Sequence, residues 1–219
     1  MKSVILIAAP AAGKGTEARL LHKEYGIPHI STGDILRDKA KEDSSLGHEI
    51  ADKIGNGKFV SDELIIDILK ERIQKDDCSN GYILDGFPRN VSQALAYEKM
   101  LEQLNKELGI VIVLDVDKQT AISRITSRVL CPKCKRVYNT SNEEMKPRVD
   151  GICDDCNTNL IKREDDNEKT YTDRYNTYVE KTSPLIDFYE KKNILYHVDA
   201  NKNSEYTNKQ VKEILGSLK

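Results

Sequence analysis

The chain has 219 residues, of which 38% are hydrophobic and 32% are charged, a composition typical of a soluble globular protein with a modest core. Its 34 basic and 36 acidic residues give a net charge of −2, which argues against a general nucleic-acid binder or a membrane-surface protein. The longest apolar run, from Val4 to Ala12, is too short to span a bilayer and lacks the order of a signal peptide. We therefore expect a cytoplasmic protein.

Strand-like and helix-like segments alternate along the chain. Short apolar or β-branched runs predict strands over residues 3–9, 28–30, 81–85, 110–116 and 194–198. Helical spacing follows Ser61 and Asp117, and a later helix with apolar positions from Tyr171 to Tyr189 should be bent or interrupted at Pro184. This alternation predicts an α/β fold, with a parallel sheet covered by helices on both faces and ligands at the carboxyl ends of the strands.

The loop after the first strand resembles a phosphate-binding loop. A strand, a tight turn with Gly13 and Lys14, and the start of a helix would let backbone N–H groups and a lysine surround phosphates. The match to G-x-x-x-x-G-K-[ST] is partial, since Ala8 replaces the first glycine and Gly15 follows the lysine. The alternative is an ordinary strand-to-helix turn with an exposed lysine.

Four cysteines fall in a segment without helical periodicity, from about Val129 to Arg163. They form two C-x-x-C pairs, Cys131 with Cys134 and Cys153 with Cys156, and this spacing predicts a structural zinc site with four thiolate ligands. Disulfides or a redox pair are the alternatives. An inserted segment with few large apolar side chains cannot build a core, so metal binding would supply its folding energy.

Several motifs in one collinear order, from Lys2 to about Lys202, resemble the adenylate kinase family, in its long-lid, zinc-containing bacterial type. Pro10, Gly13, Lys14, Gly15 and Thr16 match its phosphate loop. The family's other motifs match at 30–37, at 57–60 and at Asp85-Gly86-Phe87-Pro88-Arg89. The resemblance implies a monomeric phosphotransferase that catalyses ATP + AMP = 2 ADP with Mg²⁺.

The resemblance also implies three parts of a P-loop nucleoside-monophosphate kinase fold. A core domain would comprise residues 1–30, 61–126 and 167–219 around a five-stranded parallel sheet. Residues 31–60 would form the arm that binds the monophosphate, and residues 127–166 would form a lid with the zinc site.

Site residues follow from the resemblance residue by residue. ATP would contact Ala11, Ala12, Gly13, Lys14, Gly15, Thr16, Arg124, Arg128, Val137, Tyr138 and Lys202. AMP would contact Thr32, Arg37, Lys58, Phe59, Val60, Gly86, Phe87, Pro88, Arg89, Gln93, Arg163 and Arg174. The catalytic groups would be Lys14, Asp85, Arg89, Arg124, Arg128, Arg163 and Arg174, with Arg124 and Arg128 on one face of a predicted helix.

Two positions depart from the family pattern, because Ala8 and Ala11 stand where it has glycine. Glycine in such a loop supplies positive φ or close backbone approach, so we expect weaker ATP binding or slower turnover. Two alternatives stay open: a kinase for another nucleoside monophosphate, or a nucleotide-binding protein of the same fold with little activity.

Overall fold

The computed structural model describes residues 3–55, 60–163 and 166–218. Within them, a five-stranded parallel sheet has the order β2-β3-β1-β4-β7. The strands are β1 (Val4–Ala8), β2 (His29–Ser31), β3 (Ile83–Asp85), β4 (Ile110–Asp115) and β7 (Leu195–Asp199). Each lies within or overlaps a predicted strand, and the parallel pairing is confirmed.

Helices alternate with these strands. They are α1 (Lys14–Tyr25), α2 (Thr32–Lys39), α3 (Ser45–Gly55), α4 (Asp62–Ile73), α5 (Val91–Gln103), α6 (Lys118–Thr126), α7 (Glu168–Thr177), α8 (Pro184–Glu190) and α9 (Ser204–Ser217). The predicted start of α4 is confirmed, since the Ser61 hydroxyl accepts a hydrogen bond from the Leu64 N–H at 3.3 Å. No helix in the described part of the chain is long and apolar enough to cross a membrane.

Alternate residues of the central strands pack into two separate apolar layers, one on each face of the sheet. In β1, Ile5 and Ile7 belong to a cluster with residues of α4, α5 and α8, whereas Val4 and Leu6 belong to a cluster with residues of α1 and α9. Neighbouring residues of a strand face opposite sides of a sheet, so both faces are buried. The prediction of helices on both faces is confirmed.

The predicted interruption of the later helix is also confirmed, and it begins ahead of the proline. Between α7 and α8 the chain forms a π-helical turn over Tyr178–Thr182. Pro184 then occupies the first turn of α8, where its missing N–H costs no hydrogen bond.

The expectation that Arg124 and Arg128 share a helix face is wrong. Helix α6 ends at Thr126, and Arg128 begins a new strand, β5 (Arg128–Leu130). This strand pairs antiparallel with β6 (Val137–Asn139), so Val129 lies opposite Tyr138. Ala121, Ile125 and Val129 are spaced as on one helix face. Cross-strand pairing of β-branched and aromatic side chains overrides this spacing at Val129.

A buried carboxyl group lies where α1 packs against α9. Glu17, in the first turn of α1, is 2% exposed, and its Oε1 accepts a hydrogen bond from Asn208 Nδ2 of α9 at 2.9 Å. Its Oε2 is buried without a hydrogen-bond partner among the described residues. Burial raises the pKa of Glu17 from 4.5 to about 7, although the bond from Asn208 acts to lower it.

We predict that Glu17→Gln stabilises the fold more at pH 7.5 than at pH 4.5. Because the folded-state pKa is raised, the folded state holds a proton that the unfolded chain loses between pH 4.5 and about 7. The wild-type free energy of unfolding should therefore fall across this window, by roughly 3 kcal/mol at most. Urea unfolding at several pH values measures the effect.

The matched control is Glu71→Gln, a change of an exposed glutamate on α4. It should leave the pH profile of unfolding as in the wild type. An equal free-energy difference between Glu17→Gln and wild type at every pH would contradict the prediction.

Candidate functional site

A cavity of about 1390 Å³ lies at the carboxyl ends of the strands. Its lining includes every predicted nucleotide-binding residue that the structure describes, from the loop after β1 to the loop after β7. Lys58 and Phe59 lie outside the described residues. The structure therefore brings the two predicted nucleotide subsites into one open space, as expected for the carboxyl edge of a parallel sheet.

The loop between β1 and α1 has the backbone geometry of an anion site. Gly13 has a φ of 104° and precedes the first residue of α1, so the free N–H groups of that helix open onto the cavity. Lys14 Nζ donates to the carbonyl oxygen of Ala8 at 3.1 Å, which holds the lysine across the loop.

The two unusual alanines differ in conformation. Ala11 has a φ of 64°, in the left-handed region that favours glycine, whereas Ala8 is the last residue of the extended strand β1. Ala11 also packs against a small apolar cluster of Ala121, Ile125 and Tyr171, which offsets part of the backbone strain. The conformational cost expected for these alanines therefore applies to Ala11 alone.

Lys14 lies among charges of both signs. Burial, partly opposed by the charge of Asp85, lowers the pKa of Lys14 from 10.5 to about 8. The guanidinium groups of Arg89, Arg174 and Arg128 lower it further. The lysine therefore lies in a strongly positive region that a bound anion would relieve.

Asp85 lies at the end of β3, and a Cβ at Gly15 would be 3.8 Å from its Oδ2. Burial acts to raise its pKa, but a hydrogen bond from His29 and the charge of Lys14 outweigh it, and the net shift is downward. His29 Nε2 lies 3.3 Å from Asp85 Oδ2. Asp85 is thus an ionised carboxylate at the cavity wall, the kind of oxygen donor that suits Mg²⁺ or its waters.

Arg89 and its neighbours form a cluster of like charges. Burial lowers the pKa of Arg89 from 12.5 to about 10; Arg174 and Arg37 lower it further, whereas Asp85 opposes the shift. Burial also lowers the pKa of Arg163, with the charges of Arg128 and Arg37 adding to the effect. Repulsion between these neighbouring guanidinium groups favours binding of a polyanion between them.

Several of these arginines are held in place by hydrogen bonds. Arg89 Nε donates to the carbonyl oxygen of Gly86 at 2.7 Å, and Arg37 Nη2 donates to Asp34 Oδ1 at 2.6 Å. Arg128 forms a two-point ion pair with Asp166, with Nε at 2.7 Å from Oδ2. Asp166 is 2% exposed, so the charge of Arg128 is needed to offset the cost of burying this carboxylate.

The predicted AMP segment is tightly packed around Gly86. This glycine has a φ of 82°, and a Cβ there would lie 3.0 Å from Thr32 Oγ1 and 3.5 Å from Arg89 Nη2. The Thr32 hydroxyl also donates to the carbonyl oxygen of Asp85 at 3.3 Å. Only glycine combines this backbone conformation with so close an approach.

Arg124 closes the opposite end of the cavity. Its Nη2 donates to the carbonyl oxygens of Lys202 at 2.7 Å and Asn201 at 3.3 Å, in the loop after β7. Its Nη1 lies 3.5 Å from the carbonyl oxygen of Ala12. Arg124 thereby connects the phosphate loop to the loop that carries Lys202.

The four predicted metal ligands lie together. The sulfur atoms of Cys131, Cys134, Cys153 and Cys156 all lie within 4.8 Å of one another. Cys134 Sγ and Cys153 Sγ are 3.6 Å apart, well beyond a disulfide bond of about 2.05 Å, and all four cysteines are free. Four converging thiols match the donor set of a structural zinc site.

Both cysteine pairs have the same backbone fold. In the first, Cys131 N–H donates to the carbonyl of Arg136 and Lys135 N–H donates to that of Cys131. In the second, the same bonds join Cys153 to Thr158 and Asn157 to Cys153. Lys135 and Asn157 both have positive φ, at 60° and 52°. The two C-x-x-C turns, called knuckles below, therefore have the same backbone geometry and orient their sulfur atoms in the same way.

Tyr138 belongs to the cysteine cluster as well as to the cavity wall. Its hydroxyl donates to Cys153 Sγ at 3.5 Å and accepts from the Asp154 N–H at 2.8 Å. Its ring lies 4.8 Å from the guanidinium carbon of Arg136. Val137, the preceding residue, lines the cavity.

Sequence reasoning missed three residues that support the site. His29 contacts Asp85, Asp62 contacts Gln93, and Arg19 of α1 lies 3.9 Å from Asp155 beside the second knuckle. His29 lies on β2, which pairs with the strand that ends at Asp85, but this pairing joins distant parts of the chain, and no local pattern indicates any of the three contacts.

Comparison with known proteins agrees with this geometry. The family model for adenylate kinase matches residues 6–194. The chain is similar to adenylate kinases of Fervidobacterium nodosum (43% identity over 99% of this chain and 98% of the relative) and Archaeoglobus fulgidus (43%, over 99% of each). It is also similar to that of Finegoldia magna (44%, over 96% of this chain and 98% of the relative). The chain belongs to the adenylate kinase family and is a phosphotransferase of the nucleoside-monophosphate kinase type.

Proposed function

We propose that the protein transfers the terminal phosphoryl group of ATP to AMP, reversibly, to give two molecules of ADP. The observation that carries this proposal is the convergence of Lys14, Arg89, Arg128, Arg163 and Arg174 on one cavity that also contains a phosphate-loop backbone. Phosphoryl transfer requires alignment and charge neutralisation more than covalent participation by the protein.

The donor nucleotide would lie along the loop after β1. Backbone N–H groups from Ala11 to Thr16 would surround its phosphates, and Lys14 would supply a positive charge. The bridge that Arg124 makes to the carbonyls of Asn201 and Lys202 supports a position for the adenine between α6 and the loop after β7.

The acceptor would lie between α2 and the segment from Gly86 to Arg89. Arg37 and Arg89 support a phosphate site, because the charge of Arg37 helps to lower the pKa of Arg89 and a bound anion would relieve this repulsion. Val60 and Gln93, both buried in the same wall, would contact the base. Asp85 would hold Mg²⁺, which when bound neutralises charge on the phosphates.

The cysteine segment would be a lid over this cavity. Zinc held by the two knuckles would fold it, since its described apolar cluster has only Cys131, Tyr138 and Cys153 as buried members. Free thiols suit a reducing compartment such as the cytoplasm, and one chain supplies both subsites, which supports a monomeric enzyme. These features favour the division into core, arm and lid predicted from the sequence.

A coupled assay of ADP formation tests the function directly. With ATP as donor, we expect AMP to be a better acceptor than CMP, UMP or GMP. Arg89→Ala should lower kcat by about 10²–10³, because it removes a positive charge that would position and neutralise the acceptor phosphate. Arg148→Ala, a change of an exposed arginine outside the cavity, should not. ATP binding without turnover on any acceptor would support the alternative of a binding protein.

The effect of the unusual alanines can be tested one position at a time. Ala11→Gly should raise kcat/KM for ATP by up to about tenfold, because an alanine at positive φ costs about 1–2 kcal/mol. Ala8→Gly is the control, since Ala8 is extended and gains nothing from glycine. If Ala11→Gly and wild type had equal kcat/KM for ATP at saturating AMP, the backbone strain at Ala11 would have no effect on catalysis.

The zinc site predicts a metal-dependent lid. Purified protein should contain a single zinc ion per chain by mass spectrometry, and chelation should lower the thermal midpoint. Cys153→Ser should lose the zinc, whereas Cys78→Ser should keep it, because Cys78 lies outside the cluster. A metal-free preparation whose midpoint does not respond to added zinc would contradict the proposal.

A further inference from the structure

The side-chain amide of Gln93 is held from two sides. Its Nε2 donates to Asp62 Oδ1 at 2.7 Å, and its Oε1 accepts from the backbone N–H of Arg89 at 2.8 Å. A carboxylate can only accept and a backbone N–H can only donate, so one of the two amide orientations satisfies both partners. Gln93 is 3% exposed and lines the cavity.

Asp62 is itself fixed by its surroundings. It is the first residue of α4, and its Oδ2 lies 2.7 Å from the Ser92 hydroxyl. That hydroxyl is also 2.7 Å from Asn90 Oδ1, which caps α5 by accepting from the Gln93 N–H at 2.8 Å. The starts of two helices therefore hold this carboxylate against the Gln93 amide.

A fixed amide orientation discriminates between purine bases. Adenine presents an amino donor at C6 and an acceptor at N1, and a carboxamide can pair with both through its oxygen and its NH₂ group. A 6-oxopurine presents the reverse pattern and needs the flipped amide. In the flipped state Gln93 Oε1 would face the Asp62 carboxylate, and Nε2 would face the Arg89 N–H.

We propose that Asp62 is a specificity-determining residue that holds Gln93 in the orientation that accepts a 6-aminopurine nucleotide and rejects a 6-oxopurine nucleotide. The proposal rests on the acceptor role given above to Gln93. Asp62 acts through Gln93, and its contribution is the exclusion of the wrong base, because two acceptors placed together at this partly buried contact are penalised.

The decisive variant is Asp62→Asn, which has nearly the same shape. An asparagine amide can turn with Gln93 and satisfy either orientation, so the block on the flipped state is weakened. We expect kcat/KM for inosine monophosphate relative to AMP to rise about tenfold, equivalent to about 1.4 kcal/mol. KM for ATP should stay as in the wild type. Asp67→Asn, an exposed change on the same helix, is the matched control.

A folded Asp62→Asn enzyme with the wild-type ratio of the two acceptors would overturn the proposal, because a merely structural carboxylate would also leave that ratio unchanged. Asp62→Ser, whose hydroxyl can donate or accept, should give the same shift if the asparagine variant is unstable. The Gln93→Ala variant tests the acceptor role of Gln93 separately from the positioning role of Asp62. Unchanged kcat/KM for AMP in that variant would refute the acceptor role of Gln93, whereas a loss there with no effect of Asp62→Asn would refute only the role of Asp62.

Discussion

Repulsion between the cations of the cavity is the constraint on which the site depends. Burial lowers the pKa of both Lys14 and Arg89, and neighbouring guanidinium groups add to each shift. In the described part of the chain only a few acids counter this charge, chiefly Asp85, Asp34 and Asp166, and each is paired with a basic side chain. A polyphosphate bound among these cations would relieve their repulsion, so the proposed binding and the neutralisation of phosphate charge would depend on the same groups.

The fold supplies the rigid elements that keep the cations close together. Arg89 is fixed through both its backbone and its side chain. Its carbonyl accepts from Thr182 Oγ1 at 2.8 Å, and its Nε donates to the carbonyl oxygen of Gly86. Arg128 is fixed by Asp166, and Arg124 by carbonyls after β7. Each of these arginines is anchored to a different segment, so their positions depend on tertiary contacts between distant parts of the chain.

Most of the fold and of the candidate site could be predicted from the sequence because their signals are local. The strands are short apolar runs, Ser61 is a helix cap, and the paired cysteines and Asp85-Gly86-Phe87-Pro88-Arg89 are contiguous motifs. The helix predicted through Arg128 was wrong because strand pairing with β6, a non-local contact, decided its structure. The contacts of Asp62 with Gln93 and of His29 with Asp85 join residues 31 and 56 positions apart, and no local pattern encodes them.

The residues proposed to recognise the base and those proposed to bind the phosphate are connected through one peptide group, that of Arg89. The Arg89 N–H holds the amide of Gln93, while the Arg89 side chain belongs to the cation cluster and its carbonyl is held by Thr182. A shift of the Arg89 backbone would therefore loosen both the amide proposed to contact the base and the guanidinium proposed to bind the phosphate. Gly86 makes this compact arrangement possible, since a side chain there would meet Thr32 and Arg89 at once. Under the proposed function, selection of the acceptor and neutralisation of its charge would depend on the same few backbone atoms, so a site that does little covalent chemistry could still impose a strict geometry.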